Sequence, residues 1–222
     1  MEMKNKKALV VLSGGLDSVT ALHWAKKTYG EVRAVYFAYG SKHSSREYDC
    51  AMWQCDQLDV PLTRIELPLD KYFKSSLLQG QEEIPEGRYD EDNMKSTVVP
   101  FRNGIMLSIA GGYAESLGFD CVVLGNHAGD HTIYPDCRKT FIDAFGQALE
   151  LGTWKGVRLV SPFCDIRKED IVKLGTELGV DYEHTYSCYK GHHKHCGVCG
   201  TCTERKEAFL LAGVNDITEY EK

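Results

Sequence analysis

Several features that would take a chain to a membrane or to nucleic acid are missing. No apolar run in the 222 residues approaches the roughly 20 needed to span a bilayer, and residues 1–7 are too short and polar for a signal peptide. A cytoplasmic location with no membrane partner is the expectation. A basic excess is also lacking: 26 Lys and Arg stand against 32 Asp and Glu, a formal net charge of −6, which argues against a broad nucleic-acid footprint. Two common phosphate-loop signatures are absent, since no Gly-Lys-Ser/Thr closes a Walker A loop and no Gly-x-Gly-x-x-Gly occurs. Nine cysteines, an odd number in a cytosolic chain, suit metal ligands and free thiols better than a full set of disulfides. With 43% apolar and 26% charged residues, the chain can bury one substantial core, with or without a small appendage.

The most informative stretch is an apolar run, residues 8–12, that feeds Ser13-Gly14-Gly15-Leu16-Asp17-Ser18 and then a segment with helical apolar spacing. Strand, glycine-rich turn and helix in that order make an α/β unit, and the turn is a ready phosphate cradle. Gly14 and Gly15 let backbone N–H groups approach, Ser13 and Ser18 add hydroxyls, and the helix presents its positive end. The turn resembles the PP-loop of ATP pyrophosphatases, which split ATP to AMP and pyrophosphate while adenylating an oxygen. The bland alternative is a βα turn needing glycine for geometry alone. The residues expected to hold nucleotide are Leu12, Ser13, Gly14, Gly15, Leu16, Asp17, Ser18, Val19, Thr20, Ala21 and Leu22. Asp17 would repel a phosphate, so it reads as a ligand for magnesium.

Alternation continues beyond the turn. Residues 31–39 and 62–67 read as strands, and Ser44-x-x-Glu47 reads as a capping box opening a helix that Pro61 ends. Residues 68–97 break the rhythm, and the acid-rich part, 79–95, reads as a mobile surface loop or a lid. A helix follows Pro100 and stops at Gly118, with Arg102 and Asn103 at its start. Residues 120–124 form a fourth strand that empties into a polar loop, 125–138, carrying His127, Asp130, His131, Tyr134, Asp136, Cys137 and Arg138. Beyond the carboxyl end of a strand is where an open α/β sheet binds ligand, so Asp130, Tyr134, Asp136 and Arg138 are candidates for reading a polar heterocycle. Gly129 argues against a helical His127/His131 metal pair. A helix over 140–151, a strand over 157–160 and a helix over 168–178 closed by Gly179 complete about five parallel strands with helices on both faces, a Rossmann-like architecture.

Cys188, Cys196, Cys199 and Cys202 follow as C-x7-C-x2-C-x2-C. Four thiols in fifteen residues suit a closed, structural tetrahedral zinc site, a redox pair would need only two, and an iron–sulfur cluster would also accept four. The expected division is an α/β domain over residues 1–185 and a small zinc-binding tail over 186–222 that folds around its metal. His192, His193 and His195 between the first two thiols read as exposed loop residues. Cys50, Cys55, Cys121, Cys137 and Cys164 read as small buried apolar groups, with Cys137 placed to touch ligand.

Ser13-Gly14-Gly15-Leu16-Asp17-Ser18, Val99-Pro100-Phe101-Arg102-Asn103, Tyr134-Pro135-Asp136-Cys137-Arg138 and Ser187-Cys188-Tyr189 with Cys196, Cys199 and Cys202 together resemble the QueC family of 7-cyano-7-deazaguanine synthases over about residues 7–212. The resemblance implies a homodimer with one zinc per subunit on those four cysteines. It also implies that 7-carboxy-7-deazaguanine and ammonia are converted, with ATP, through an adenylated acid and then an adenylated amide into the nitrile preQ0, a queuosine precursor. On that basis Ser13, Gly14, Gly15 and Ser18 take the pyrophosphate and Asp17 takes Mg2+. Arg102 or Arg138 balances charge at the adenylyl or carboxylate group, and Asn103, Asp130, Tyr134 and Asp136 meet the ring. Asp17, Arg102, Asp136 and Arg138 are thus the expected catalytic residues, and the general base is left among His127, His131 and Asp136. Segment 125–133 departs from the family's usual Gly-Val-x-x-x-Asp pattern while keeping Asp130. Rival readings are a related enzyme joining the ring acid to another nucleophile, a PP-loop tRNA sulfurtransferase, and a nucleotide-binding regulator without turnover.

Overall fold

The computed structural model describes residues 3–88 and 92–221. Its centre is a five-stranded parallel sheet in the order β3-β2-β1-β4-β5, built from β1 (Lys7–Val11), β2 (Glu31–Ala38), β3 (Leu62–Glu66), β4 (Cys121–Leu124) and β5 (Arg158–Val160). The helices are α1 (Leu16–Thr28), α2 (Ser44–Leu58), α3 (Arg102–Leu117), α4 (Lys139–Gly152), α5 (Lys168–Leu178) and α6 (Gly200–Ala212). The chain lays β1, β2 and β3 outward in one direction, then returns to place β4 on the other side of β1. That reversal opens a crevice at the carboxyl ends of β1 and β4.

Strand alternation assigns side chains to the two faces. Ala8 and Val10 of β1, Ala34 and Tyr36 of β2, and Cys121 and Val123 of β4 join a core with Leu16, Val19 and Leu22 of α1, Val172 of α5 and Phe209 of α6. Leu9, Val35 and Val122 point the other way, into a core with Leu107 and Ala110 of α3 and Leu149 of α4. Near-continuous apolar strands follow from burial on both faces.

Two local expectations change, the capping box and the mobile loop. Ser44 does not cap α2: it is the first helical residue, and its hydroxyl meets Tyr36 Oη at 2.9 Å. Glu47 consequently does not reach back to a cap, and its carboxylate is left for other work. The helix ends before Pro61, where Asp59 takes a left-handed conformation, φ 49°. Within the loop expected to be mobile, Ile84 and Met94 are buried, and Glu86 forms a β-bridge with Cys199 while Gly87 N donates to Val198 O at 3.1 Å. The loop is thereby pinned on the cysteine-rich tail; residues 89–91 lie outside the described residues.

The tail is held by Arg205, which is fully buried. Its guanidinium donates to Thr185 Oγ1, Ser187 Oγ, Tyr182 O and Thr218 Oγ1 at 2.9 to 3.1 Å. His195 is buried rather than exposed, because its Nε2 accepts from Ser187 N at 3.0 Å, and burial pushes its pKa down to about 4.

Candidate active site and metal centre

The β1 exit turn is internally braced. Ser13 Oγ and Ser18 Oγ lie 3.0 Å apart, Gly15 N donates to Ser13 Oγ, and Ser18 Oγ donates to Gly15 O. Gly14 has φ +86°, and a Cβ built there would lie 2.1 Å from the carbonyl oxygen of Glu47, so the turn lies against the α2 backbone. Gly14→Ala is therefore expected to push α2 away from the turn and to lower stability by about 1–3 kcal/mol, which urea denaturation checks.

The turn forms one wall of a cavity of about 200 Å3, open on one side, between the ends of β1 and β4. Leu12, Ser13, Gly15, Leu16, Asp17 and Ser18 line it, as do Arg102, Asn103, Asp130, Tyr134 and Cys137. Val19, Thr20, Ala21 and Leu22 are packed inside α1 instead, Thr20 donating to Leu16 O. Asp136 and Arg138 do not line the cavity. Asp136 Oδ2 accepts from Asn103 N at 2.8 Å and so caps α3, whose own N-cap position is Phe101 with no capping side chain. Arg138 is exposed at the start of α4. The backbone of His131 belongs to a short 3-10 turn, Ala128–Thr132, that forms despite Gly129; its side chain lies outside the described residues.

Asp17 sits in a buried charge cluster that the sequence did not announce. Lys168 Nζ, at the first residue of α5, lies 3.2 Å from Asp17 Oδ2 and 2.6 Å from Glu204 Oε2 of α6. Burial works against the ammonium charge, but Asp17, Glu204 and Asp130 more than offset it, and the Lys168 pKa lies above the ordinary lysine value. His127 Nδ1 accepts from Gly129 N, which leaves the ring proton of the neutral tautomer on Nε2. That Nε2 faces Asp130, Glu204 and Asp17 oxygens at 3.6, 3.7 and 3.9 Å, too far for a hydrogen bond, and it is buried without a partner, as is Asp17 Oδ1. With Nδ1 engaged as acceptor, His127 does not have the free nitrogen a metal requires.

At the other end of the cavity Arg102 donates to Tyr39 Oη at 3.0 Å, and Tyr134 Oη meets Thr97 Oγ1 and Tyr189 Oη at 2.9 and 3.1 Å. Burial pushes the Tyr134 and Tyr189 pKa values up, so both stay neutral hydrogen-bonding groups. His43 and Glu47 also line this wall. Burial pushes Glu47 up to about 8, with Arg102 pulling the other way, and pushes His43 down to about 4. Folded Glu47 holds a proton that the unfolded chain releases near its ordinary 4.5, so this group's contribution to stability falls as pH rises from about 4.5 to about 8 and then levels. Stability measured across that range is expected to drop relative to Glu47→Gln.

Cys188, Cys196, Cys199 and Cys202 are buried with their sulfurs all within 4.8 Å of one another, and Cys196 Sγ lies 3.9 Å from Cys202 Sγ. A tetrahedral ion with metal–sulfur bonds of about 2.3 Å needs sulfurs roughly 3.8 Å apart, so the residues fit one metal ion. Cys199 N and Val198 N donate to Cys196 Sγ at 3.3 and 3.5 Å, as amides around a thiolate do. Hydrogen bonds from Cys188 and Cys202 draw the Cys199 thiol well below its ordinary pKa.

The model of the family described as queuosine biosynthesis protein QueC matches residues 7–213. A 7-cyano-7-deazaguanine synthase of Porphyromonas gingivalis is 52% identical over 221 residues, covering 98% of this chain and 99% of the relative. One of Desulfotalea psychrophila is 50% identical over 214 residues, covering 96% and 98%. Among solved structures, the U34-tRNA thiolase NcsA of Methanococcus maripaludis matches with TM-score 0.50 at 14% identity, over 99% of this chain and 76% of that one. An NMN synthetase of Francisella tularensis matches with TM-score 0.50 at 15% identity, over 96% and 79%. These two share the fold.

Proposed function

The chain belongs to the QueC family of queuosine biosynthesis proteins, and from that membership we propose that it is an ATP-dependent C–N ligase converting 7-carboxy-7-deazaguanine and ammonia to 7-cyano-7-deazaguanine. The observation that carries this reading is one cavity joining the Ser13–Ser18 turn and its Asp17–Lys168 pair to Arg102, Tyr134 and Tyr189 across the β1–β4 crevice. A phosphate tail and a carboxylated ring would meet there.

In this reading Ser13, Gly15 and Ser18 exchange their mutual hydrogen bonds for phosphate oxygens. Lys168 and Arg102 hold the negative charge that develops as the ring carboxylate oxygen attacks the α-phosphorus and pyrophosphate leaves. Asp130, Asn103 and Tyr134 orient the ring, while Asp136 acts through the α3 terminus that it caps. Magnesium suits Asp17, whose Oδ1 is buried without a partner, and when bound it would neutralise phosphate charge. The four-cysteine site takes zinc: sulfurs within 4.8 Å of one another enclose a single ion and leave no room for a multi-iron cluster. The metal would be structural, holding residues 186–222 as a unit against the α/β domain. A homodimer in the cytoplasm completes the proposal.

The test is release of AMP and pyrophosphate with 7-carboxy-7-deazaguanine, with and without ammonium, alongside mass spectrometry of the ring product. Ammonium-dependent nitrile is expected. Turnover with another amine but not ammonium would mark a different acceptor, and no nucleotide cleavage would refute the reading.

A further inference from the structure

In the ligase reading ammonium must lose a proton before it can attack an acyl-adenylate, and the groups of the cavity differ in their freedom to take it. His127 Nδ1 already accepts from Gly129 N, and the Asp136 carboxylate from Asn103 N at the start of α3. His43 and Glu47, by contrast, form a pair inside the cavity with no other task. His43 Nδ1 lies 3.2 Å from the carbonyl oxygen of Tyr189, which can only accept, so Nδ1 carries a proton. The Nε2 of a neutral ring is then a bare lone pair, 3.6 Å from Glu47 Oε2, and the two side chains are 3% and 14% exposed. Two electron-rich atoms at that separation in a buried site repel unless one proton lies between them. The groups facing Glu47 from the neighbouring elements are Arg102 of α3 and Tyr36 and Tyr39 from β2 and its exit. Glu47 also belongs to the segment that meets Gly14, which places it beside the nucleotide turn.

We propose that Glu47, backed by His43, is the catalytic base that deprotonates ammonium in the amide-forming step. This assignment rests on the ligase reading above. The step starts from ionised Glu47, its resting proton having left through the open side of the cavity: an ammonium N–H bond breaks, its electron pair stays on nitrogen, and the proton passes to Glu47 Oε2, where it faces the His43 lone pair. The ammonia then forms the C–N bond to the acyl carbon. The C–O bond to AMP breaks with its electron pair on the departing phosphate, which takes the second proton, leaving a neutral amide. Between turnovers Glu47 releases its proton through the open side of the cavity. A carboxyl raised by burial toward the pH range in which it works is suited to this exchange.

Hydroxylamine separates this role from simple packing, because it is mostly unprotonated at neutral pH and needs no such base. Glu47→Gln, whose amide can still donate to His43 Nε2, is expected to lower ammonium-dependent amide and nitrile formation by about 100-fold. The same variant should form the ring hydroxamate from ATP and hydroxylamine within about threefold of wild type, and formate added to Glu47→Ala should restore part of the ammonium reaction. Equal losses with both nucleophiles, or no loss with ammonium, would overturn the assignment while leaving the ligase reading intact. Wild-type protein that forms neither product would overturn the ligase reading and this assignment with it.

Discussion

Replacing Lys168 by methionine is expected to destabilise the protein by about 3–5 kcal/mol and to stop ATP-dependent turnover. The side chain is 10% exposed and stands between Asp17 and Glu204, with Asp130 close by. Removing the ammonium leaves carboxylates buried without a counter-charge, which costs far more than the pair itself contributes. Lys168→Met combined with Glu204→Gln should therefore recover part of the loss, since one stranded charge goes with its partner. Urea denaturation of the two variants measures both effects, and full stability in the single variant would contradict the buried cluster.

Loss of the four-cysteine metal should have the other large effect. Cys199→Ser is expected to abolish metal binding at the quartet and to loosen residues 186–221. Structural zinc sites supply apparent binding free energies of about 10–16 kcal/mol in small metal-folded peptides, and the packing of Phe209 and Ala208 into the main core replaces only part of that. Elemental analysis and hydrogen exchange would register the change: the amides of α6 and of Gly87 should lose protection together, because Gly87 N bonds Val198 O beside Cys199. Cys50→Ser, at a half-buried thiol outside the quartet, should retain both metal and protection.

The parallel sheet was legible because each buried strand is a short apolar run set off by turn residues, and each helix carries apolar residues at three- and four-residue spacing. The turn at Ser13–Ser18 and the cysteine quartet were legible because their chemistry is local: every ligand lies within a few residues of the next. What escaped were groups brought together by crossovers. Lys168 did leave a trace, a cation in the first turn of a helix whose dipole disfavours it, and the compensation turned out to be Asp17 and Glu204. Glu47 was hidden by a plausible local explanation, the capping box, which fails because the Ser44 hydroxyl pairs with Tyr36. Asp136 shows the same limit: its loop is rich in polar residues, and nothing in the spacing reveals that its carboxylate accepts from the backbone amide of Asn103.

Asn103 thereby ties two walls together. The loop over 125–138 and the helix that carries Arg102 are fastened where Asn103 N donates to Asp136 Oδ2 and Asn103 Nδ2 to Asp136 O and Cys137 Sγ, so a reshaping of the loop is expected to move the guanidinium with it.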